Sequence, residues 1–276
     1  MKKKLSITRA FFTRRAHTHI LNKRKGGRRM NFVKYHVSYS DYIVSDDVGA
    51  ERYAASVCDR HAGVGAYGLV SVRENPFRAR FFRPDGREVP LDFSAALCAG
   101  AYLCEKSGSP KICIVTASGV CETEISKSGA VSAVVPYKNA GEAKIRRADV
   151  GAGTEYVKTV LCNTTRAVCK VNDIYKAILF GVGEKMSAYG AFGGGADVDF
   201  THAISRDKIE VKSYERGVGY LTSGSGAVAA AVTLASLGVC EKNVNVAVDC
   251  GRMRVYTGDE LRLEATVAKV MKGTTA

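Results

Sequence analysis

Glu215 and Arg216 stand just ahead of a glycine-rich turn at Gly217 and Gly219, and Thr222, Ser223 and Gly224-Ser225-Gly226 follow. Beyond them the run Ala227-Val228-Ala229-Ala230-Ala231-Val232, with Leu234, Ala235 and Leu237, is almost wholly small and apolar. Apolar on every side, it predicts a helix inside a domain. The unpaired N–H groups and partial positive charge at such a helix start can hold an anion. Glycines there let the backbone come close to what is held. The plainer alternative for the same residues is a buried helix with a serine cap and a tight turn.

The rest of the composition narrows what could surround this stretch. A chain of 276 residues with 46% apolar residues fits one large or two modest globular domains. Its formal charge of +14 is concentrated at one end, because eleven of the 41 Lys and Arg lie before Met30 with no acid among them. The remainder carries 30 basic residues against 27 acidic ones, so a nucleic-acid role for the folded body is not expected. Residues 1–29 read as a disordered basic extension or as sequence ahead of a start at Met30, and their composition also fits a transit peptide or a nucleic-acid tail. No run reaches the length of a membrane span. The nine cysteines show no CxxC pair and no zinc spacing, and several sit in apolar runs such as Ile112-Cys113-Ile114-Val115. Reduced, buried thiols in a cytoplasmic protein are the expectation, with no metal.

From Met30 the pattern is mostly short strands. Met30–Tyr35 and Asp41–Ser45 read as strands joined by a polar link, and Ala50–Arg60 has helical spacing. Leu69–Arg73 and Phe77–Phe82 are strands, followed by the turn Arg83-Pro84-Asp85-Gly86. After Asp92-Phe93-Ser94 comes a second small-residue helix, Ala95–Cys104. A repeat emerges here. The helix before Gly108 is followed by strands Lys111–Thr116 and Val120–Ile125 around a turn at Gly119. The helix before Gly238 is followed by strands Val244–Asp249 and Arg252–Tyr256 around a turn at Gly251. The chain therefore reads as two copies of one unit, joined near 138–153. The expected class is α+β, with two pseudo-symmetric mainly-β lobes at 30–146 and 147–276, each wrapped around a buried central helix. The last strand is expected against the first lobe. Two facing helix starts would line a cleft suited to a carboxylate and to charge developing beside it.

Several motifs carry a family resemblance. MNFVKYHVSYSDY at Met30–Tyr42, CDRHAGVG at Cys58–Gly65, FFRPDGREV at Phe81–Val89, and YERGVG at Tyr214–Gly219 with GSGA at Gly224–Ala227 keep their order and approximate spacing. Over nearly all of Met30–Ala276 the chain resembles the diaminopimelate epimerase family. The resemblance implies inversion of an amino-acid α-carbon without a cofactor. Two cysteines, one per lobe, act as base and acid on opposite faces of the carbon, as inversion requires. It also implies that Glu215 and Arg216 bind the substrate's amino and carboxylate groups, with Gly224, Ser225 and Gly226 supplying the helix start.

The chain departs from the pattern at the reacting positions. Where the family has its first cysteine the sequence reads Asp92-Phe93-Ser94-Ala95, and where it has the second it reads Ser223-Gly224-Ser225-Gly226. A serine hydroxyl is a poor base without an activator. An aspartate has a reference pKa of about 3.9, and raising it to about 7 takes roughly 4 kcal/mol of desolvation and field. Both residues are also natural helix caps. Positions that dress the substrate's far end differ too. Arg83 replaces the asparagine of a Phe-Asn-x-Asp-Gly turn, Asp197 that of Ala-Asn-Ile/Val, and Ser40 that of the opening loop. The Gly-Asn-Pro-His loop looks like Asn163-Thr164-Thr165-Arg166, with Thr164 in the site and the histidine lost. Asp197 would favour a cationic group and Arg83 an anionic one, the alternative for each being a surface salt bridge.

Three readings follow. One is an isomerase with altered chemistry, acting beside the carboxylate of an amino acid or related small acid, with Asp92 moving a proton on one face and Ser223 donating a hydrogen bond. Another is an inactive paralogue that binds an amino acid or a partner protein. The third is diaminopimelate epimerase itself, in lysine biosynthesis. No cofactor is expected, and the resemblance suggests a homodimer.

Overall fold

A computed structural model describes residues 29–136, 144–150, 154–179 and 181–275. All but Arg29 of the basic extension, and residues 138–143 and 151–153 of the expected join, lie outside them.

Strands β1 (Asn31–Val37) and β2 (Ser40–Ser45) form a hairpin. The polar link expected over His36–Ser40 is shorter than that. Ser38 and Tyr39 both take positive φ (46° and 72°), and this two-residue turn leaves His36 and Val37 in β1. The helix expected over Ala50–Arg60 is a 3-10 turn, Ala50–Tyr53, followed by α1 (Ala54–Cys58). It stops early because the Asp59 carboxylate accepts from the N–H groups of His61 and Ala62, both at 2.7 Å, and so turns the chain. Then come β3 (Gly68–Arg73), β4 (Arg78–Phe82), β5 (Glu88–Val89) and α2 (Phe93–Ser107). The first lobe continues with β6 (Lys111–Thr116), β7 (Gly119–Ile125) and β8 (Ala130–Pro136).

The second lobe repeats the plan with β9 (Ile145–Ala148), β10 (Thr154–Leu161), β11 (Thr164–Lys170), α3 (Ile174–Leu179), α4 (Val182–Ser187), β12 (Asp197–Ser205) and β13 (Lys208–Glu215). After β14 (Gly219–Tyr220) come α5 (Gly224–Ser236), β15 (Asn243–Val248), β16 (Gly251–Tyr256), β17 (Glu260–Thr266) and β18 (Ala268–Thr274).

One hydrogen-bonded order threads both lobes: β18-β1-β2-β3-β4-β6-β7-β8-β17-β16-β15-β13-β12-β11-β10-β9. The seam between the lobes is the antiparallel pair β8 and β17, in register from Ala130↔Thr266 to Pro136↔Glu260. The last strand, β18, leaves the second lobe and pairs with β1. The helices α2 and α5 lie inside the two curled halves of the sheet. Leu97, Ala99 and Leu103 of α2 and Ala227–Ala231 of α5 share one apolar core. Small residues suit this position because a helix enclosed on all sides must sit close to every strand around it.

The repeat extends to single residues. The turn at Ser38-Tyr39 has its counterpart at Cys162-Asn163, again with both φ positive (47° and 63°). The parallel pairing Tyr42↔Gly68 has its counterpart in Arg166↔Asp197. Ser40, Tyr42 and Val44 thus correspond to Thr164, Arg166 and Val168.

Candidate active-site cleft

The two helix starts face one another and interlock. Asp92 caps α2, its Oδ1 accepting from the Ala95 N–H and the Tyr42 hydroxyl, both at 3.0 Å. Ser223 caps α5, accepting from the Gly226 N–H at 3.3 Å and donating to Glu215 Oε1 at 2.6 Å. Two positions further on, each helix reaches across to the other. Ser94 Oγ accepts from the Gly224 N–H at 2.7 Å, and Ser225 Oγ accepts from the Phe93 N–H at 3.1 Å. The N–H groups at Gly224 and Gly226 that the sequence offers to an anion are therefore taken by Ser94 and Ser223. Ser94→Ala and Ser225→Ala should each lower stability by about 1–2 kcal/mol, since each strips a partner from a buried N–H in the opposite lobe. Urea denaturation reads this directly, and a change within about 0.3 kcal/mol would count against the reciprocal caps.

The glycines have structural work at the same place. A Cβ on Gly226 would lie 2.4 Å from Ser213 Oγ and 2.6 Å from Asp199 Oδ1. One on Gly224 would lie 2.4 Å from a methyl of Leu263 and 2.8 Å from Ser94 Oγ. Only a residue without a side chain lets α5 begin here.

Against the start of α5 packs a buried ion cluster. Arg166, fully buried, reaches Asp199 (2.7 and 2.8 Å), Glu215 (2.8 Å) and Asp197 (3.3 Å). Arg83 crosses from the first lobe to Asp197 (3.1 Å), Glu215 (2.9 Å) and the Tyr67 hydroxyl (2.7 Å). Arg216 donates its backbone N–H and Nε to Asp197 (3.0 and 3.3 Å) and Nη1 to the carbonyl of Gly194 (2.6 Å). Three guanidinium groups thus meet three carboxylates, and the cluster has no net charge to offer a ligand. Arg83 and Asp197, expected to face an anion and a cation, are buried partners of each other instead of surface salt-bridge residues. Glu215 and Arg216 are also engaged from within.

Charge states follow from these contacts. Burial works to raise Glu215, but Arg166 and Arg83, with hydrogen bonds from Arg166 and Ser223, hold it well below the ordinary carboxylate range. A carboxylate so stabilised is a weak base toward the Ser223 hydroxyl. Burial pushes Asp92 up, against the pull of Arg83 and the Ala95 N–H. Burial also pushes Asp197 up, with Glu215 alongside and Arg166 and Arg83 opposing. The thiol of Cys98, farther along α2 and fully buried, is driven well above its usual value by burial, with Asp92 adding to the shift. It is no substitute nucleophile.

Ser40 and Thr164 mark pseudo-equivalent contacts between the lobes. Ser40 donates to the Thr222 carbonyl at 3.1 Å, just before the cap of α5. Thr164 lines a crevice of about 10 Å³ with Arg83, Phe93, Cys162, Arg166 and Ser225. That crevice is about the size of one water. Taken singly, Ser94, Tyr42, Tyr67 and Asp199 carry no mark in the sequence that sets them apart as site residues, and Arg166 reads there only as the place of the lost histidine. The matched spacing Asp92-x-Ser94 and Ser223-x-Ser225 was the available signal for the interlocked caps. Among the described residues no group of three or more His, Cys, Asp and Glu is placed to hold a metal ion, and no helix is long and apolar enough to cross a membrane.

No protein-family model matches the chain. Diaminopimelate epimerase of Aquifex aeolicus is 30% identical over 273 residues, covering 88% of this chain and 97% of that protein. O-ureido-serine racemase of Streptomyces lavendulae is 28% identical, covering 83% and 88%. Among solved structures, a hydroxyproline epimerase of Agrobacterium vitis superposes with a TM-score of 0.69 at 12% identity, covering 90% of this chain and 92% of that one, and supports the fold. With two lobes, two facing helix starts and this likeness over most of its length, the chain belongs to the diaminopimelate epimerase family of cofactor-independent epimerases and racemases.

Proposed function

We propose that this chain is a family member without racemase turnover, acting as a partner protein through the surface of its two-lobe body. The observation that carries this is the interlocked pair of helix starts, whose N–H groups at Gly224 and Gly226 are taken by Ser94 and Ser223 beside a crevice of about 10 Å³. An amino acid placed there would have to displace the serine caps and separate Arg83 from Asp197 and Glu215. Inversion also needs an acid and a base on opposite faces of one C–H, and Asp92 and Ser223 stand where the resemblance places the two thiols. The partner class favoured is another two-lobe protein of this family. Among the described residues β18 pairs with β1 alone, and its Val270 and Met271 are exposed, leaving a strand edge for a second subunit.

A second reading has one observation in its favour. The raised pKa of Asp92 suits a proton acceptor, so a one-base isomerase is the alternative. Solvent exchange separates the two. The protein in D2O with diaminopimelate, O-ureidoserine and a panel of other amino acids should show no enzymic loss of the α-proton signal by NMR. Washout that disappears in Asp92→Asn would establish the one-base isomerase, and inversion of diaminopimelate would establish the parent activity. Sedimentation of mixtures with an active family member should show a mixed species.

A further inference from the structure

The two lobes differ at the end of the central helix far from the cleft. The turns at Ser38-Tyr39 and Cys162-Asn163 align β1 with β10 and β2 with β11, so Val33, Tyr35, Val44 and Asp46 correspond to Val157, Thr159, Val168 and Lys170. The caps Asp92 and Ser223 align the helices, so Tyr102, Leu103 and Lys106 correspond to Thr233, Leu234 and Leu237.

In the first lobe two tyrosines fill the space between β1 and the last turns of α2. Tyr35 is buried, and Tyr102 packs half-buried against the same core. Lys106 closes the end by pairing with Asp46 and Glu74. In the second lobe both tyrosine positions are threonines, Thr159 and Thr233, hydrogen-bonded to each other at 2.7 Å. Thr233, the counterpart of Tyr102, lines a pocket of about 300 Å³, at the lower end of the range for small-molecule sites. Val157, Val168 and Leu234 line it, and Ile145 and Leu237 stand beside them. On the rim Glu155 is held by Arg147 (2.9 and 3.1 Å). Lys170, counterpart of the paired Asp46, has no ion pair among the described residues.

We propose that this pocket binds a small aryl carboxylic acid. The ring lies on the apolar wall in place of the missing tyrosine side chains, and the carboxylate reaches Lys170. An aromatic ring supplies the large, flat apolar area that such a wall rewards. The ammonium of Lys170 fixes orientation through a charge-assisted hydrogen bond. The site is remote from the interlobe cleft and does not depend on whether that cleft turns over a substrate.

The test is ¹⁹F NMR titration of the full chain with 4-fluorophenylacetate and, separately, with uncharged 4-fluorophenol. Saturable binding of both is expected. Thr233→Tyr, which restores the first-lobe residue, should weaken both by at least about tenfold. Lys170→Ala should weaken the acid by about tenfold and leave the phenol unchanged. Leu237→Tyr at the rim provides a second filling variant should Thr233→Tyr not fold, with a retained melting transition as the check. Absence of saturable binding to the wild type, or binding unchanged in a folded filling variant, would overturn the proposal. Equal weakening of acid and phenol by Lys170→Ala would overturn the role of the carboxylate.

Discussion

Arg166→Met should lower the unfolding free energy by about 3–5 kcal/mol, a large part of the 5–15 kcal/mol typical of a domain. The cause is the company Arg166 keeps. Asp199 and Glu215 are fully buried, and this guanidinium is the shared partner of both. Removing it leaves negative charge in a place water does not reach, which costs far more than the net value of the pair. Methionine preserves much of the volume, so the loss reports charge more than cavity. Adding Asp199→Leu to Arg166→Met should recover part of the loss, because the second change removes one of the orphaned charges.

The same variant should weaken the response to acid. In the wild type Glu215 titrates below its ordinary value. The stability it contributes is present above about pH 4.5 and is lost as pH falls toward the depressed folded pKa. Without Arg166 the carboxyl of Glu215 loses the largest influence that depresses it and keeps Arg83 and the Ser223 hydroxyl, so its pKa moves back toward the unfolded value. Less of its stability is then lost as pH falls below about 4.5. The gap between wild type and variant in urea midpoint should therefore narrow from pH 7 to pH 4. A gap independent of pH would mean that lost packing, and not charge, explains the destabilisation.

The fold was legible because its signals are local. Two helices of small residues, each with a glycine stop and a hairpin after it, report the repeat without any knowledge of contacts. Strand edges needed more, since a two-residue turn with positive φ at Ser38 and Tyr39 has no glycine to announce it. The site resisted for a different reason. Arg83 and Asp197 lie 114 positions apart, and each alone reads equally well as a substrate contact or as a surface ion pair. What decides between those readings is that they meet each other. Arg166 was hidden by its strand, in which four consecutive residues, Arg166–Cys169, are buried. A strand covered on both faces shows no alternation to mark which residue points at the cleft. Only the register with the first lobe, where Tyr42 holds the corresponding place beside Asp92, makes it a site residue.

Arg83→Met is the second large effect, expected at about 2–3 kcal/mol, and its signature separates it from Arg166→Met. Arg166 belongs to the second lobe, as do Asp197, Asp199, Glu215 and Arg216. Among the described residues Arg83 alone brings a first-lobe guanidinium into the cluster, held at Tyr67 by a 2.7 Å hydrogen bond and lying 5.5 Å from that ring. Its loss removes the ionic link across the lobes at this wall while Arg166 still serves the carboxylates. The amides of Phe93 and Gly224, whose partners are serines across the divide, should then exchange with solvent at least about tenfold faster. The amide of Asn245, bonded within the second lobe to the Asp207 carbonyl at 2.8 Å, should exchange as before. Uniform acceleration at all three would show that Arg83 supports the whole fold and not the junction. Selective acceleration would tie the closed cleft to a single cross-lobe arginine, at the position where the family resemblance places an asparagine.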